Sequence, residues 1–364
     1  MRRSLRLFAA VAVLALVAAA CGDEDGGGTT GPTGGGKPGE GITVGLVYDI
    51  GGRGDLSFND SAAAGLDRAV EEFGITPKEL EPNQGGTNRA ELLTLLAEEG
   101  TDLIIGVGFL FAESICAAGN QYPDVHFADV DGFISKDTAN CPGAHDLTPE
   151  DNVASLLFAE EQGSFLVGAA AALKSETGHV GFIGGVDIDL IHKFQAGFEA
   201  GAKHINPDIQ IDVKYISQPP DFSGFNDPAK AKEIATSMFQ SGADVVYHAA
   251  GGSGLGLFQA AKEYEDATGT HVWGIGVDSD QYLTVPEELQ PYVLTSMLKR
   301  VDVAVYETIK AEVEGKFQGG YITFDLARDG VGYSTSGGFI DDITSQLEDL
   351  KQQIVDGTIT VPTS

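Results

Sequence analysis

Basic residues are scarce in this chain: 22 lysines and arginines stand against 54 aspartates and glutamates, a formal charge of −32 at pH 7 over 364 residues. That balance repels phosphate, which excludes nucleic acid and anionic lipid as the principal partner. It suits a small neutral or cationic ligand, although an acid-rich host would produce the same charge. Cysteine is nearly absent, with three in all. Beyond Cys21 only Cys116 and Cys141 remain, and no His or Cys stands at metal-ligand spacing beside them. In an exported chain such a pair reads as a disulfide rather than a metal site. The seven histidines are scattered and no H-E-x-x-H occurs, so no metal centre is expected. Gly252-Ser-Gly-Leu-Gly256 places Leu257 where a dinucleotide fingerprint needs its third glycine, and Leu255 denies Ser253 a nucleophile elbow. Gly36-Lys37-Pro38 and Gly315-Lys316-Phe317 are not phosphate loops. No catalytic residue and no cofactor is therefore expected, and His248, which follows a strand, reads as a core or rim residue.

Long apolar runs are also missing after the N-terminus. The one present, residues 7–20, follows Arg2, Arg3 and Arg6 and ends in small residues before Cys21. It is too short for a permanent span and matches a secretory segment. Val17-Ala-Ala-Ala-Cys21 resembles a bacterial lipobox, with Ala18 where Leu is usual, so Cys21 is expected to carry lipid; ordinary cleavage near Ala20 is the alternative. Residues 22–40 are rich in Gly, Thr, Pro and Asp and read as a flexible tether.

From about residue 41 the chain alternates strand and helix signals. Strands are expected at 42–47, 102–107, 126–130, 151–158, 179–185, 272–278 and 293–298, with a further one from Asp244 as the echo of that at 102–107. Helices are expected at 61–73, 89–98, 112–118, 160–173, 193–203, 301–314 and 342–356. The pattern repeats. Ile42 to Gly52 is echoed by the strand and turn from His179, Thr101-Asp102-Leu-Ile-Ile by Ala243-Asp244-Val-Val-Tyr, and His126-Phe-Ala-Asp-Val-Asp131 by Val272 to Asp278. This implies an α/β protein of two doubly wound parallel-sheet lobes around a ligand cleft. The expected division is 1–20 secretory segment, 21–41 lipidated Cys and tether, 42–155 with 298–318 as lobe one, and 156–297 with 319–364 as lobe two.

In such sheets ligands sit at the carboxyl ends of strands. Val44 to Gly65 supplies a strand, a glycine-rich turn and the cluster Asp55-Leu-Ser-Phe-Asn-Asp60. Asp60 or Ser61 would cap the following helix, with Phe58 either stapled back onto it or facing a ligand. The copy at Asp187-Ile-Asp-Leu190 makes the same turn without an aromatic, which argues that Phe58 and Asn59 serve a ligand. Phe58 and Phe225 suit a flat ring, while Asn59, Asp131 and Asp278 suit its heteroatoms and Lys299 a hydroxyl or an acid.

Taken together, Ser57-Phe-Asn-Asp-Ser61, Asp102-Leu-Ile-Ile-Gly-Val-Gly108, Glu161-Gln-Gly-Ser-Phe-Leu-Val-Gly168, Phe225-Asn-Asp-Pro-Ala-Lys230, Gly276-Val-Asp-Ser-Asp280 and Thr295-Ser-Met-Leu-Lys-Arg-Val301 resemble the basic membrane protein family of bacterial lipoproteins, of the purine nucleoside receptor A type. The resemblance spans residue 42 to about 362. It implies a type I periplasmic-binding fold and a nucleoside-binding component of an ABC importer, anchored by lipid outside the cytoplasm, working as a monomer with permease and ATPase partners. It further implies a purine between Phe58 and Phe225, base-edge bonds from Asn59 and Asp131, ribose contacts from Asp278 and Lys299, and closure by backbone near Gly252, with Asp55 in the same loop. Two departures stand out: Phe222, in a long approach to Phe225, competes for the stacking role, and Asp129 adds an acid near the base edge. A sugar or autoinducer receptor on the same fold, a nucleoside-processing enzyme and a ligand-free adhesin are the rival readings. Fatty-acid labelling is expected to mark the wild-type chain and to be lost in Cys21→Ser; equal labelling of the two would exclude the anchor.

Overall fold

Parallel strands covered on both faces are mostly apolar, and Thr43–Val47, Leu103–Val107 and Val245–Ala249 are buried along nearly their whole length. The computed structural model describes residues 36–364 apart from residue 84. The expected secretory segment, Cys21 and most of the tether lie outside the described residues.

The chain begins with β1 (Thr43–Val47), α1 (Phe58–Phe73), β2 (Thr76–Leu80), α2 (Arg89–Glu98), β3 (Leu103–Val107), α3 (Ala112–Gln121), β4 (His126–Val130) and β5 (Val153–Phe158). It then crosses to α4 (Glu160–Lys174), β6 (His179–Val186), α5 (Asp189–Ile205), β7 (Gln210–Ser217), α6 (Pro228–Ser241), β8 (Val245–Ala249), α7 (Leu255–Thr268), β9 (Trp273–Asp278), α8 (Gln281–Thr284) and β10 (Val293–Lys299). It crosses back into α9 (Val301–Val313) and β11 (Gly320–Phe324), and finishes with β12 (Val331–Tyr333) and α10 (Thr344–Val355). Two six-stranded sheets result, in the orders β11-β5-β4-β3-β1-β2 and β12-β10-β9-β8-β6-β7. All pairings are parallel except β10 with β12.

The expected lobe boundaries need correction. β5 stays in the first sheet as far as Phe158, and β10 stays in the second as far as Lys299. Residues 320–324, expected in lobe two, pair with β5 from Ala154 to Phe158 and belong to lobe one. The chain crosses back after β10, at Arg300. The lobes are therefore joined by three crossovers, at 158–160, 299–301 and 324–331. The first helix also starts earlier than expected, at Phe58. Cys116 and Cys141 are joined by a disulfide whose Cα atoms are 5.9 Å apart; it ties α3 to the long β4–β5 connection.

In lobe two, α4 and α5 approach until backbone meets backbone. A Cβ on Gly168 would stand 2.1 Å from the Phe198 carbonyl oxygen, and one on Gly201 1.9 Å from that of Phe165. Only glycine fits. This close packing holds Glu160 at the start of α4 and Phe194 on α5 beside the crossovers. Gly201→Ala is expected to cost about 1–3 kcal/mol through overpacking, measured by denaturant unfolding; an unchanged midpoint would contradict this packing.

Candidate functional site

The β1–α1 turn is built by carboxylates acting on backbone amides. Asp55 accepts the N–H groups of Ser57 (2.9 Å) and Asp60 (3.1 Å) on one oxygen, and that of Asn59 (2.9 Å) on the other. It thus satisfies the unpaired donors at the start of α1, and capping falls to Asp55 rather than to Asp60 or Ser61. Asp60 instead folds back to accept from Gly54 and Leu56. Asn59, 1% exposed, accepts the Asp49 N–H through Oδ1 (2.9 Å) and donates through Nδ2 to Asp55 (3.0 Å). Its amide holds the turn while its side chain also reaches the cavity wall. Phe58 is left half-buried at the first position of α1, at the cavity wall.

Opposite ends of the repeat converge on one cavity between the lobes, lined by residues of both. Asp55, Phe58, Asn59, Asp131, Phe225, Asp278 and Lys299 all line it. Gly252 does not: it lies against Asp55 and Asn226, and its neighbour Gly251 lines the wall instead. Phe222 is not a wall residue either. It meets the wall residue Phe109 edge-on, ring centroids 5.9 Å apart, so an aromatic pair from the two lobes stands beside the cavity.

Asp131 and Asp278 occupy matching places just after β4 and at the end of β9, and both take left-handed backbone conformations, with φ of 68° and 65°. Asp tolerates that region better than most side chains. Between them lies Lys299, 2% exposed, its Nζ 2.7 Å from Asp131 Oδ2 and 3.0 Å from Glu160 Oε1. Phe158, Phe58 and Phe194 enclose the ammonium at 4.9, 5.4 and 5.4 Å from their ring centroids. Asp131 Oδ1 is buried without a partner. Asp278 accepts the Ser57 hydroxyl at 2.5 Å.

Around this centre the lobes are latched. Besides the Ser57–Asp278 bond, Ser279 Oγ donates to the Ser57 carbonyl (2.9 Å) and Gln281 Nε2 to that of Leu56 (3.1 Å). His248 is fully buried in the core of lobe two; burial lowers its pKa to about 4, and Nε2 lies 2.8 Å from Gln281 Oε1. Asp129 is fully buried, neither of its oxygens is hydrogen-bonded, and burial with the Asp131 and Asp49 charges drives its carboxyl well up.

Sequence reasoning missed several walls. Asp49 stands two residues beyond the end of β1, an acid after a strand and so a signal it could have used; it pairs with Arg89 at 3.0 Å. Leu190, Ile191 and Phe194 line the cavity from α5, so the second copy of the turn contributes an apolar wall even without an aromatic in the turn itself. Phe109 follows the Gly106-Val-Gly108 end of β3.

Two lobes of parallel sheet, joined by three crossovers and closing on an interlobe cavity, define the periplasmic-binding-protein fold. The solute-binding protein of an Aeropyrum pernix ABC transporter has it, with a TM-score of 0.73 at 32% identity over 89% of this chain and 94% of that one. The chain belongs to the Bmp family, the PnrA-like ABC transporter substrate-binding proteins, whose profile matches residues 42–364. It is similar to the ABC transporter nucleoside-binding protein BmpA of Lactococcus lactis, 34% identical over 98% of this chain and 96% of that protein. It is also similar to the CD4+ T-cell-stimulating antigen of Listeria monocytogenes, 37% identical over 90% and 89%. Members of this family bind a small molecule outside the cytoplasm and present it to an ABC transporter. Among the described residues no helix is long and apolar enough to cross a membrane.

The buried acids carry a stability signature. Loss of hydration pushes the Asp278 carboxyl up to about 7, against the pull of Lys299 and Ser57, and raises Asp49, Asp55 and Asp131 as well. A raised folded-state pKa favours the neutral form. Its contribution to stability is therefore full below about pH 4, the unfolded value, and lost as pH rises through the folded one near 7. The thermal midpoint of the ligand-free protein is expected to fall by a few degrees from pH 5 to pH 8, and less so in Asp278→Asn. A midpoint that rises over that range would contradict the burial assigned to these groups.

Proposed function

We propose that the protein is a lipid-anchored extracytoplasmic receptor that captures a nucleoside, a purine nucleoside first, and delivers it to an ABC permease and its ATPase. The observation that carries this reading is the make-up of one cavity: a phenyl ring from each lobe, Phe58 and Phe225, with the strand-end acids Asp131 and Asp278 around a shared lysine. Flat apolar rings suit the faces of a heterocycle. A polyol needs fixed acceptors, because a buried hydroxyl left unpaired costs about 1–3 kcal/mol. Asp278 supplies one, and the unpartnered Oδ1 of Asp131 supplies another for a hydroxyl or a ring N–H. The likeness to the Lactococcus lactis nucleoside-binding protein supports the same ligand class.

Charge sets the limit of the class. Asp49, Asp55, Asp131 and Asp278 line the cavity against the one lysine, which two carboxylates already hold. A phosphate would be desolvated among like charges, which costs several kcal/mol. The ligand is therefore a nucleoside and not a nucleotide. In this reading the lobes bend open for entry and close on the ligand, with the Ser57–Asp278 bond made on closure.

Calorimetry with inosine, adenosine and guanosine is expected to show binding that Phe58→Ala and Asp278→Ala each weaken at least about tenfold, roughly 1.4 kcal/mol. The 5′-monophosphates should bind at least about 100-fold more weakly than their nucleosides. Unchanged affinities in both variants, or nucleotides binding as well as nucleosides, would sink the assignment.

A further inference from the structure

Glu160 does not line the cavity, yet it is only 1% exposed and holds two cations. Its Oε1 lies 3.0 Å from Lys299 Nζ and its Oε2 3.3 Å from Lys193 Nζ on α5. Both members of the inner pair sit at crossovers. Glu160 is the first residue of α4 after the chain leaves β5, and Lys299 is the last residue of β10 before the chain returns to α9. The third crossover binds the same two places, with the Ala159 N–H donating to the Phe324 carbonyl (3.0 Å) and the Arg300 N–H to that of Gly330 (2.9 Å).

We propose that Glu160 is a positioning residue: by clamping Lys299 where two interlobe crossovers meet, it sets the lobe angle and keeps the lysine from collapsing onto the ligand-facing acids. The ammonium has three hydrogens. Asp131 and Glu160 take two, and the carboxylate of Asp278 lies close enough to act on the same charge. Without Glu160, Lys299 has only Asp131 and Asp278 as counter-charges and is drawn onto both. The acceptors meant for the ligand are then spent internally, and one of the ties between crossovers is gone. Lys193, 35% exposed on its side chain, steadies the outer oxygen of Glu160 from the solvent side. The effect on affinity rests on the nucleoside reading; the effect on lobe angle does not.

The test uses the full chain with Cys21→Ser and spin labels at Glu91→Cys in lobe one and Glu233→Cys in lobe two, both exposed. In Glu160→Gln the ligand-free interlobe distance distribution is expected to broaden, and inosine affinity to fall about tenfold. Lys193→Ala, which leaves Glu160 in place, should do the same to a smaller degree and covers the case in which Glu160→Gln does not fold. A broadened distribution in a protein whose wild type takes no nucleoside upholds the hinge role and overturns the nucleoside reading instead. An unchanged distribution in the folded variants, even with a lowered thermal midpoint, overturns the proposal, because a merely structural Glu160 would change stability without changing lobe angle.

Discussion

Burying an ammonium ion to 2% exposure costs several kcal/mol unless charge and hydrogen bonds replace the water it loses. Lys299 meets that condition through Asp131, Glu160 and Asp278, and through three phenyl rings over its remaining surface. The partners come from different parts of the chain: Asp131 follows β4 in lobe one, Asp278 ends β9 in lobe two, and Glu160 begins the helix after a crossover. One charge thereby fixes where the lobes meet, and the cavity forms beside it. The surplus of acids over the single lysine also explains why the carboxyls are raised: each is desolvated, and there is too little positive charge to compensate them all.

The β1–α1 turn couples this centre to the rest of lobe one. Asp55 and Asn59 spend their polar atoms holding the turn rigid, so Phe58 and Ser57 project from a fixed frame. Ser57 then reaches Asp278, while Leu56, held at a φ of 57°, offers its carbonyl to Gln281. Gln281 in turn is the partner of buried His248. The same loop that presents the stacking ring therefore carries the interlobe latch. Ligand contact and closure share one rigid piece of backbone, a form of preorganisation that lowers the cost of binding.

Much of this was legible in residue order. The eight strands recognised from sequence are the interior ones, which are mostly apolar because both faces are covered. The four passed over, β2, β7, β11 and β12, are the edges of the two sheets. β2 reads Thr-Pro-Lys-Glu-Leu, with proline and charge where an edge tolerates and even benefits from them. The strand-end acids Asp131 and Asp278 emerged from the repeat because their matched spacing is a sequence property. The use of each polar atom is not: Asn59 turned out to serve the turn, Asp55 the cap and Asp129 the buried interior, since those roles depend on which amides the backbone brings within 3 Å. Glu160 gave no sequence signal as a site residue, because an acid in the first turn of a helix is ordinarily explained by the helix dipole.

A thermal-shift series comparing purine nucleosides, free purine bases and free pentoses reads the central claim most directly, that ring faces and strand-end acids act on one ligand together. The account predicts that inosine, adenosine or guanosine raises the midpoint well above what the base or ribose alone achieves at the same concentration. A pentose that stabilises the protein while every nucleoside leaves it unchanged would contradict it.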